Sequence, residues 1–175
     1  DATNIDRNLY LTMQILETGA KVVLALNMMD EAEKKDIKIN IAKLSQALDI
    51  PVIPTIATKR KGIKELVSEA VKLGDSTDKK SYKIDYGVEI ENGIKQIEKA
   101  IEECGVTLEY HGDWTAIKLL ENDEYIKNYV DSKDNGKKLG SELQKSVDEI
   151  TASVGYDVDA YIIDKRYENI EKIVK

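Results

Sequence analysis

Asn27 comes directly after a run of five apolar residues, Val22–Leu26, and Asp30 follows three positions later. Ala57 and Thr58 follow a second apolar segment of the chain. The carboxylate of Asp30 can accept two parallel hydrogen bonds from a planar pair of N–H groups, which guanine has at N1 and its 2-amino group and adenine lacks. A backbone N–H at Ala57 can donate to the 6-oxo group of guanine, and the amide of Asn27 can reach N7. These residue types predict a pocket specific for guanine.

The spacing Asn-x-x-Asp has a second interpretation, because Asn and Asp are also preferred residues at the start of a helix. Residues 28–35 are predicted to form a short helix, which the side chain of Asn27 or Asp30 could cap. The motif alone favours capping. The apolar strand before it and the second apolar segment after it favour recognition of a base, so both interpretations stay open at this point.

Alternating helices and strands must position these residues. The run Val22–Leu26 contains no polar residue, which predicts a strand over 21–26 that is buried on both faces. A second strand is predicted with its core at 52–56, and a helix follows Gly62. Strands that alternate with helices form parallel sheets whose strands end at one edge, so we expect the two polar segments to be neighbours. The apolar face of the helix after Gly62 is predicted to be buried, and its members are Ile63, Leu66, Val67, Ala70 and Val71.

The pattern changes after residue 74. Polar and turn-forming residues predict a linker over 75–82 that separates a domain at 1–74 from a domain at 83–175. Apolar residues recur every three or four positions in the later domain, which predicts a small bundle of about five helices. The fold class is therefore α/β followed by all-α. Because two strands are too few for an independent sheet, we expect residues 1–74 to be the C-terminal part of a larger doubly wound domain.

The composition argues against several classes of function. The net charge of −7 argues against a nucleic-acid partner or an anionic membrane surface, because phosphate groups are bound by clustered Lys and Arg. No apolar run approaches the roughly 20 residues that a membrane-spanning helix needs. The single cysteine, Cys104, fits a reducing compartment and a place in the core. The single histidine, His111, is expected in a solvated loop, and we predict no metal site.

Five segments of the sequence, in collinear order, resemble the cytosolic region of FeoB-type ferrous iron transporters from bacteria and archaea. The first two resemble the later half of the GTPase domain of that family, and the other three resemble the helical spacer domain that follows it. The segments are DATNIDRNLYLTMQILETGAKVVLALNMMDEAEKKDIKI, PVIPTIATKRKGIKEL, YGVEIENGIKQIEKAI, WTAIKLLENDEYI and DKRYENIEKIV.

The resemblance implies a partial Ras-like doubly wound GTPase domain joined to a small helical bundle. It implies that Asn27 and Asp30 form the fourth guanine motif, with Met28 in place of the usual Lys. Ala57 and Thr58 then form the fifth guanine motif. The implied ligand is the guanine part of GTP or GDP. In the parent protein, the family couples GTP hydrolysis to iron uptake through a membrane region, which tethers the cytoplasmic part to the plasma membrane.

The sequence departs from a complete GTPase in one respect. No G-x-x-x-x-G-K-[ST] motif occurs in residues 1–175, and the switch segments are absent as well. We therefore expect the missing N-terminal half of the GTPase domain to be a partner of this chain and to carry the Mg²⁺ site, which has no ligand here. We assign no catalytic residue, and we expect the chain alone to bind GTP very weakly and not to hydrolyse it, because phosphate contacts supply most of the affinity.

A second class of function also fits the sequence, namely a non-enzymatic helical interaction module in which the α/β part is only a scaffold. The segment KRKG at 59–62 is the one basic cluster of the chain. We interpret it as a solvated loop, so that replacing its basic residues is expected to leave nucleotide affinity unchanged.

Overall fold

The computed structural model describes residues 1–76 and 82–174. The chain divides into two compact units. The first comprises Asp1–Ile84 together with the end of the chain from Glu168, and the second comprises Asp85–Tyr167. Residues 77–81 of the predicted linker 75–82 lie outside the described residues.

The first unit is built from helices that alternate with two short strands, which confirms the predicted α/β class. Strands β1 and β2 pair in parallel, with Leu24 opposite Val52 and Leu26 opposite Pro54. Two short 3-10 turns, Ala2–Asn4 and Ala57–Lys59, lie beside these elements. In chain order the elements are α1 (Ile5–Glu17), β1 (Leu24–Leu26), α2 (Met29–Lys34), α3 (Ile41–Leu48), β2 (Val52–Pro54) and α4 (Ile63–Asp75).

The prediction that β1 is buried on both faces is wrong at Ala25, which is exposed, although Leu26 is buried. The predicted buried face of α4 is also wrong, since Val67 and Val71 are 56% and 57% exposed. The physical reason is the size of the sheet. A strand of three residues is about 10 Å long, whereas the 13 residues of α4 extend over about 20 Å, so the helix has more apolar surface than the described strands cover.

The second unit is helical, which confirms the predicted bundle of five helices within the described residues. Helices α5 and α8 pack against each other, and their contact is close enough that a Cβ on Gly93 would lie 2.7 Å from Cδ1 of Ile150. A 3-10 turn, Gly136–Leu139, precedes α8. The helices are α5 (Val88–Glu103), α6 (Gly112–Leu120), α7 (Glu124–Asp131), α8 (Gly140–Val154) and α9 (Val158–Val174), of which the last extends beyond this unit.

A buried charged cluster lies among the helices of the second unit. Arg166 on α9 has an exposed fraction of 0% and forms an ion pair with Glu121, at the end of α6. Glu121 also pairs with Lys118, whose Nζ lies 2.7 Å from the carboxylate. Burial by itself would raise the pKa of Glu121, but the hydrogen bonds and charges of Arg166 and Lys118 outweigh this effect and lower the pKa. The guanidinium of Arg166 also lies 5.6 Å from the ring centre of Tyr86.

Candidate functional site

The two parallel strands of the first unit end side by side, as the sequence predicts. The backbone N–H of Thr55 donates to the carbonyl of Leu26 over 2.8 Å, which continues the strand pairing to this edge. A cavity of about 280 Å³ opens beyond it. Its lining includes all five of the predicted site residues, and in full comprises Thr3, Asn27, Met28, Asp30, Glu31, Lys35, Ile56, Ala57 and Thr58.

The side chain of Asn27 joins the two loops that form the cavity. Its Oδ1 accepts a hydrogen bond from the backbone N–H of Ala57 over 3.0 Å and another from the hydroxyl of Thr55 over 3.3 Å. Thr55 is buried, so packing keeps the Thr55 end of this hydrogen bond in place. Asn27 therefore orients the second loop instead of capping α2. The Ala57 N–H, which is predicted to donate to a guanine carbonyl, donates to Asn27 in this structure.

Met28 occupies the turn between β1 and α2. Its φ of 65° lies in the left-handed region, and its side chain is 40% exposed at the cavity. The carbonyl of Met28 accepts hydrogen bonds from the N–H groups of Glu31 and Ala32, both over 3.1 Å, so α2 begins immediately after this turn. The turn places Asp30 in the first helical turn, beside the cavity.

Asp30 is held by a residue from the other loop. Nζ of Lys59 lies 2.7 Å from Oδ2 of Asp30, and the Asp30 side chain is only 20% exposed. The hydrogen bond from Lys59 is the largest influence on the pKa of Asp30 and lowers it, which outweighs the opposing effect of burial. The backbone N–H groups of Asp30 and Glu31 lower this pKa further. Lys59 is exposed, as the predicted solvated loop requires, and it also contacts a predicted site residue.

The loop that carries Lys59 has a closed shape. Ile56 and Lys61 exchange two backbone hydrogen bonds, of 3.1 and 3.2 Å, and thus bring the ends of the loop together. Gly62 follows with a φ of +76°, and a Cβ at this position would lie 2.2 Å from the carbonyl oxygen of Pro54. Only glycine fits this position without a shift of the backbone. The tight loop directs Lys59 back towards α2.

The remaining candidates of the sequence analysis contribute nothing to this cavity. His111 is exposed at the start of α6, and Cys104 is half-buried at the end of α5 instead of lying in the core. Residues 1–76 and 82–174 contain no group of three or more His, Cys, Asp or Glu side chains that could hold a metal ion. Over the same residues, no helix has both the length and the apolar character that crossing a bilayer requires.

Comparison with known protein families gives two adjoining matches. Residues 1–70 match the family described as ferrous iron transport protein B, and residues 86–175 match the FeoB cytosolic helical domain. The Fe(2+) transporter FeoB of Escherichia coli is 33% identical over 99% of the chain. A fusion of Fe(2+) transport protein A and FeoB from Porphyromonas gingivalis is 33% identical over the whole chain. The chain spans 21% of the length of each of these two relatives.

Solved structures with the same fold come from the NFeoB protein of S. thermophilus. A variant of NFeoB bound to mGDP superposes with a TM-score of 0.89 at 32% identity, covering 99% of this chain and 65% of that one. NFeoB bound to GDP·AlF4⁻ and K⁺ superposes with a TM-score of 0.83 at 32% identity, covering 99% and 66%. Taken together with the two family matches, these likenesses show that the chain belongs to the FeoB family and corresponds to part of its GTPase domain followed by its cytosolic helical domain.

Proposed function

We propose that the cavity at the end of β1 and β2 binds the guanine base of GTP or GDP. The observation that carries this proposal is the meeting of the Asn27–Asp30 turn with the Ala57–Thr58 loop at a single cavity. Two solved structures of NFeoB, which has the same fold, contain bound guanine nucleotides and so support this proposal. The carboxylate of Asp30 accepts hydrogen bonds from N1 and the 2-amino group of the base.

The other residues define the shape and polarity of the base pocket. Asn27 keeps the two loops in register, and its amide nitrogen is available to N7 of the base. The backbone N–H of Ala57 transfers from Asn27 to the 6-oxo group when the base enters. Met28 and Thr58 pack along the faces of the ring, where the flexible thioether of Met28 supplies apolar contact.

The variant Asp30→Asn tests the base specificity. Xanthine has a 2-oxo group where guanine has its 2-amino group, so the donor and acceptor of an Asn amide match xanthine and mismatch guanine. A charge-assisted hydrogen bond contributes about 1.5–3 kcal/mol, so we expect GDP affinity to fall by about 10- to 100-fold and XDP affinity to rise. Isothermal titration calorimetry with the full gene product that carries these residues measures both.

Glu33→Gln is the matched control, because Glu33 is an exposed carboxylate on the same helix that does not line the cavity. We expect the control to bind GDP and XDP as the unchanged protein does. Equal losses for GDP and XDP in Asp30→Asn, with no gain for XDP, would show that Asp30 does not read the base.

In the whole protein, GTP binding and hydrolysis by this region are coupled to Fe²⁺ uptake through a membrane region, as the family of Fe(2+) transporters supports. The region lies in the cytoplasm and is tethered to the plasma membrane through that part. We place the Mg²⁺ site in the N-terminal half of the GTPase domain, because no G-x-x-x-x-G-K-[ST] motif occurs in residues 1–175. We expect the 175 residues alone to bind GTP very weakly and not to hydrolyse it.

We also propose a domain division into 1–74, the linker 75–82 and 83–175. The end of α4 at Asp75 and the start of α5 at Val88 support it. Limited proteolysis tests this division, because a protease is expected to cut a linker before it cuts the helices on either side.

A further inference from the structure

We propose that Lys59 is a positioning residue that sets the orientation of the Asp30 carboxylate and thereby the preference for a base with a 2-amino group. The inference rests on the proposed guanine pocket and extends it to a residue outside the two guanine motifs. It derives from the contact between Nζ of Lys59 and Oδ2 of Asp30, which measures 2.7 Å.

Lys59 reaches Asp30 from outside the cavity. Asp30 is part of the lining, whereas Lys59 is not among the described residues that line the cavity. The Lys59 side chain is 55% exposed, so its ammonium group lies between solvent and the carboxylate. A carboxylate oxygen has two lone pairs and can accept two hydrogen bonds. Lys59 can therefore remain on Oδ2 while a base approaches both oxygens from the cavity.

The contact from Lys59 comes from outside the short helix that carries Asp30. α2 has only six residues, and Asp30 lies in its first turn. The backbone N–H groups of Asp30 and Glu31 favour the charged carboxylate, and Lys59 contacts it from the other loop. A side chain that is ordered before the ligand arrives loses less conformational freedom on binding, which increases affinity.

The orientation of the carboxylate matters most for a base that uses both oxygens. Guanine donates to one oxygen from N1 and to the other from its 2-amino group. Hypoxanthine has no 2-amino group, so it donates only one hydrogen bond, from N1. It therefore tolerates rotation of the carboxylate about that hydrogen bond. Loss of Lys59 should therefore weaken GDP more than IDP, whereas a general distortion of the loop should weaken both nucleotides equally.

A competing interpretation predicts the opposite effect of removing Lys59 on GDP affinity. The ammonium of Lys59 could act as a substitute for the donor edge of the base, so that it must leave before the base binds. Removal of Lys59 would then increase GDP affinity. The position of Lys59 outside the cavity lining favours the positioning role.

The test compares Lys59→Met with Lys61→Met in the full gene product, by calorimetric titration with GDP and IDP. Lys61 is an exposed lysine of the same loop that has no ion pair within the described part of the chain. We expect Lys59→Met to lower GDP affinity by about three- to tenfold, the range expected for ordering one side chain. We also expect it to lower the ratio of GDP to IDP affinity by a similar factor. Lys61→Met should leave both affinities unchanged.

A third variant, Lys59→Arg, retains a cation that can donate to Oδ2, and we expect it to restore most of the GDP preference. Unchanged or increased GDP affinity in Lys59→Met would overturn the inference, as would equal losses for GDP and IDP. The result for Asp30→Asn separates this failure from failure of the pocket itself. If Asp30→Asn gains XDP affinity while Lys59→Met has no effect, the base pocket stands and only the role of Lys59 is refuted.

Discussion

Replacing Arg166 with Met removes the guanidinium from the buried charged cluster of the helical unit while keeping an apolar side chain of similar length. Arg166 has an exposed fraction of 0%, and Glu121 then retains Lys118 as its one ion-pair partner among the residues described. Breaking a buried ion pair costs about 3–5 kcal/mol, because the remaining charge is left in a poorly solvated place. Lys118 offsets part of this cost, and the lost contact with Tyr86 adds up to about 1 kcal/mol. We expect a total loss of about 3 kcal/mol.

Urea denaturation followed by tryptophan fluorescence measures this loss. Trp114 is the only tryptophan of the chain and lies on α6, four residues before Lys118, so its emission reports on the helical unit. Lys145→Met is the matched control, because Lys145 is a basic residue on the exposed surface of α8. We expect the control to change the free energy of unfolding by no more than about 0.5 kcal/mol.

A double-mutant cycle with Glu121→Gln decides whether the ion pair between Arg166 and Glu121 is responsible for the loss of stability. If Arg166 acts through Glu121, the two substitutions should be non-additive by at least about 1 kcal/mol. A loss below about 1 kcal/mol for Arg166→Met would show that the guanidinium is dispensable to the bundle. Strict additivity in the cycle would show that Arg166 does not act through Glu121.

Three further predictions concern pH and glycine. Folding lowers the pKa of Glu121, so the contribution of Glu121 to stability is complete above the ordinary pKa of 4.5 and is lost as the pH falls through the lower pKa of the folded state. In that acid range, the free energy of unfolding of Glu121→Gln should fall less steeply with pH than that of the unchanged protein. Gly62→Ala should cost more than about 1 kcal/mol in thermal denaturation, since its Cβ would meet the carbonyl of Pro54. Gly74→Ala should instead stabilise α4 by about 0.5–1 kcal/mol, because none of the residues that the structure describes lies within 4 Å of the added methyl group.

The sequence was sufficient to predict the candidate site because its signals are local. An apolar run followed by Asn27 and Asp30 marks the end of a strand, and parallel pairing brings the second loop to the same edge. The fold class followed from the change of apolar spacing after residue 74. The roles of the five site residues remain predictions that the proposed titrations test.

The contacts that the sequence did not predict depend on the paths of loops and on tertiary packing. Lys59 lies in a basic cluster that is typical of a solvated loop, and only the closed turn between Ile56 and Lys61 brings it to Asp30. Arg166 occurs in a charged helix, where a buried guanidinium has no local signature. The apolar residues of α4 show the converse error, because a periodic pattern indicates which face can be buried and not whether another element covers it.

The hydrogen bond from Ala57 to Asn27 means that a base entering the proposed pocket exchanges one acceptor for another. Such an exchange contributes little net binding energy, because the N–H is already satisfied before the ligand arrives. A base with an amino group at the same position offers a second donor to the N–H and cannot make the exchange. The hydrogen bond between Ala57 and Asn27 would therefore disfavour the binding of adenine without increasing the affinity for guanine.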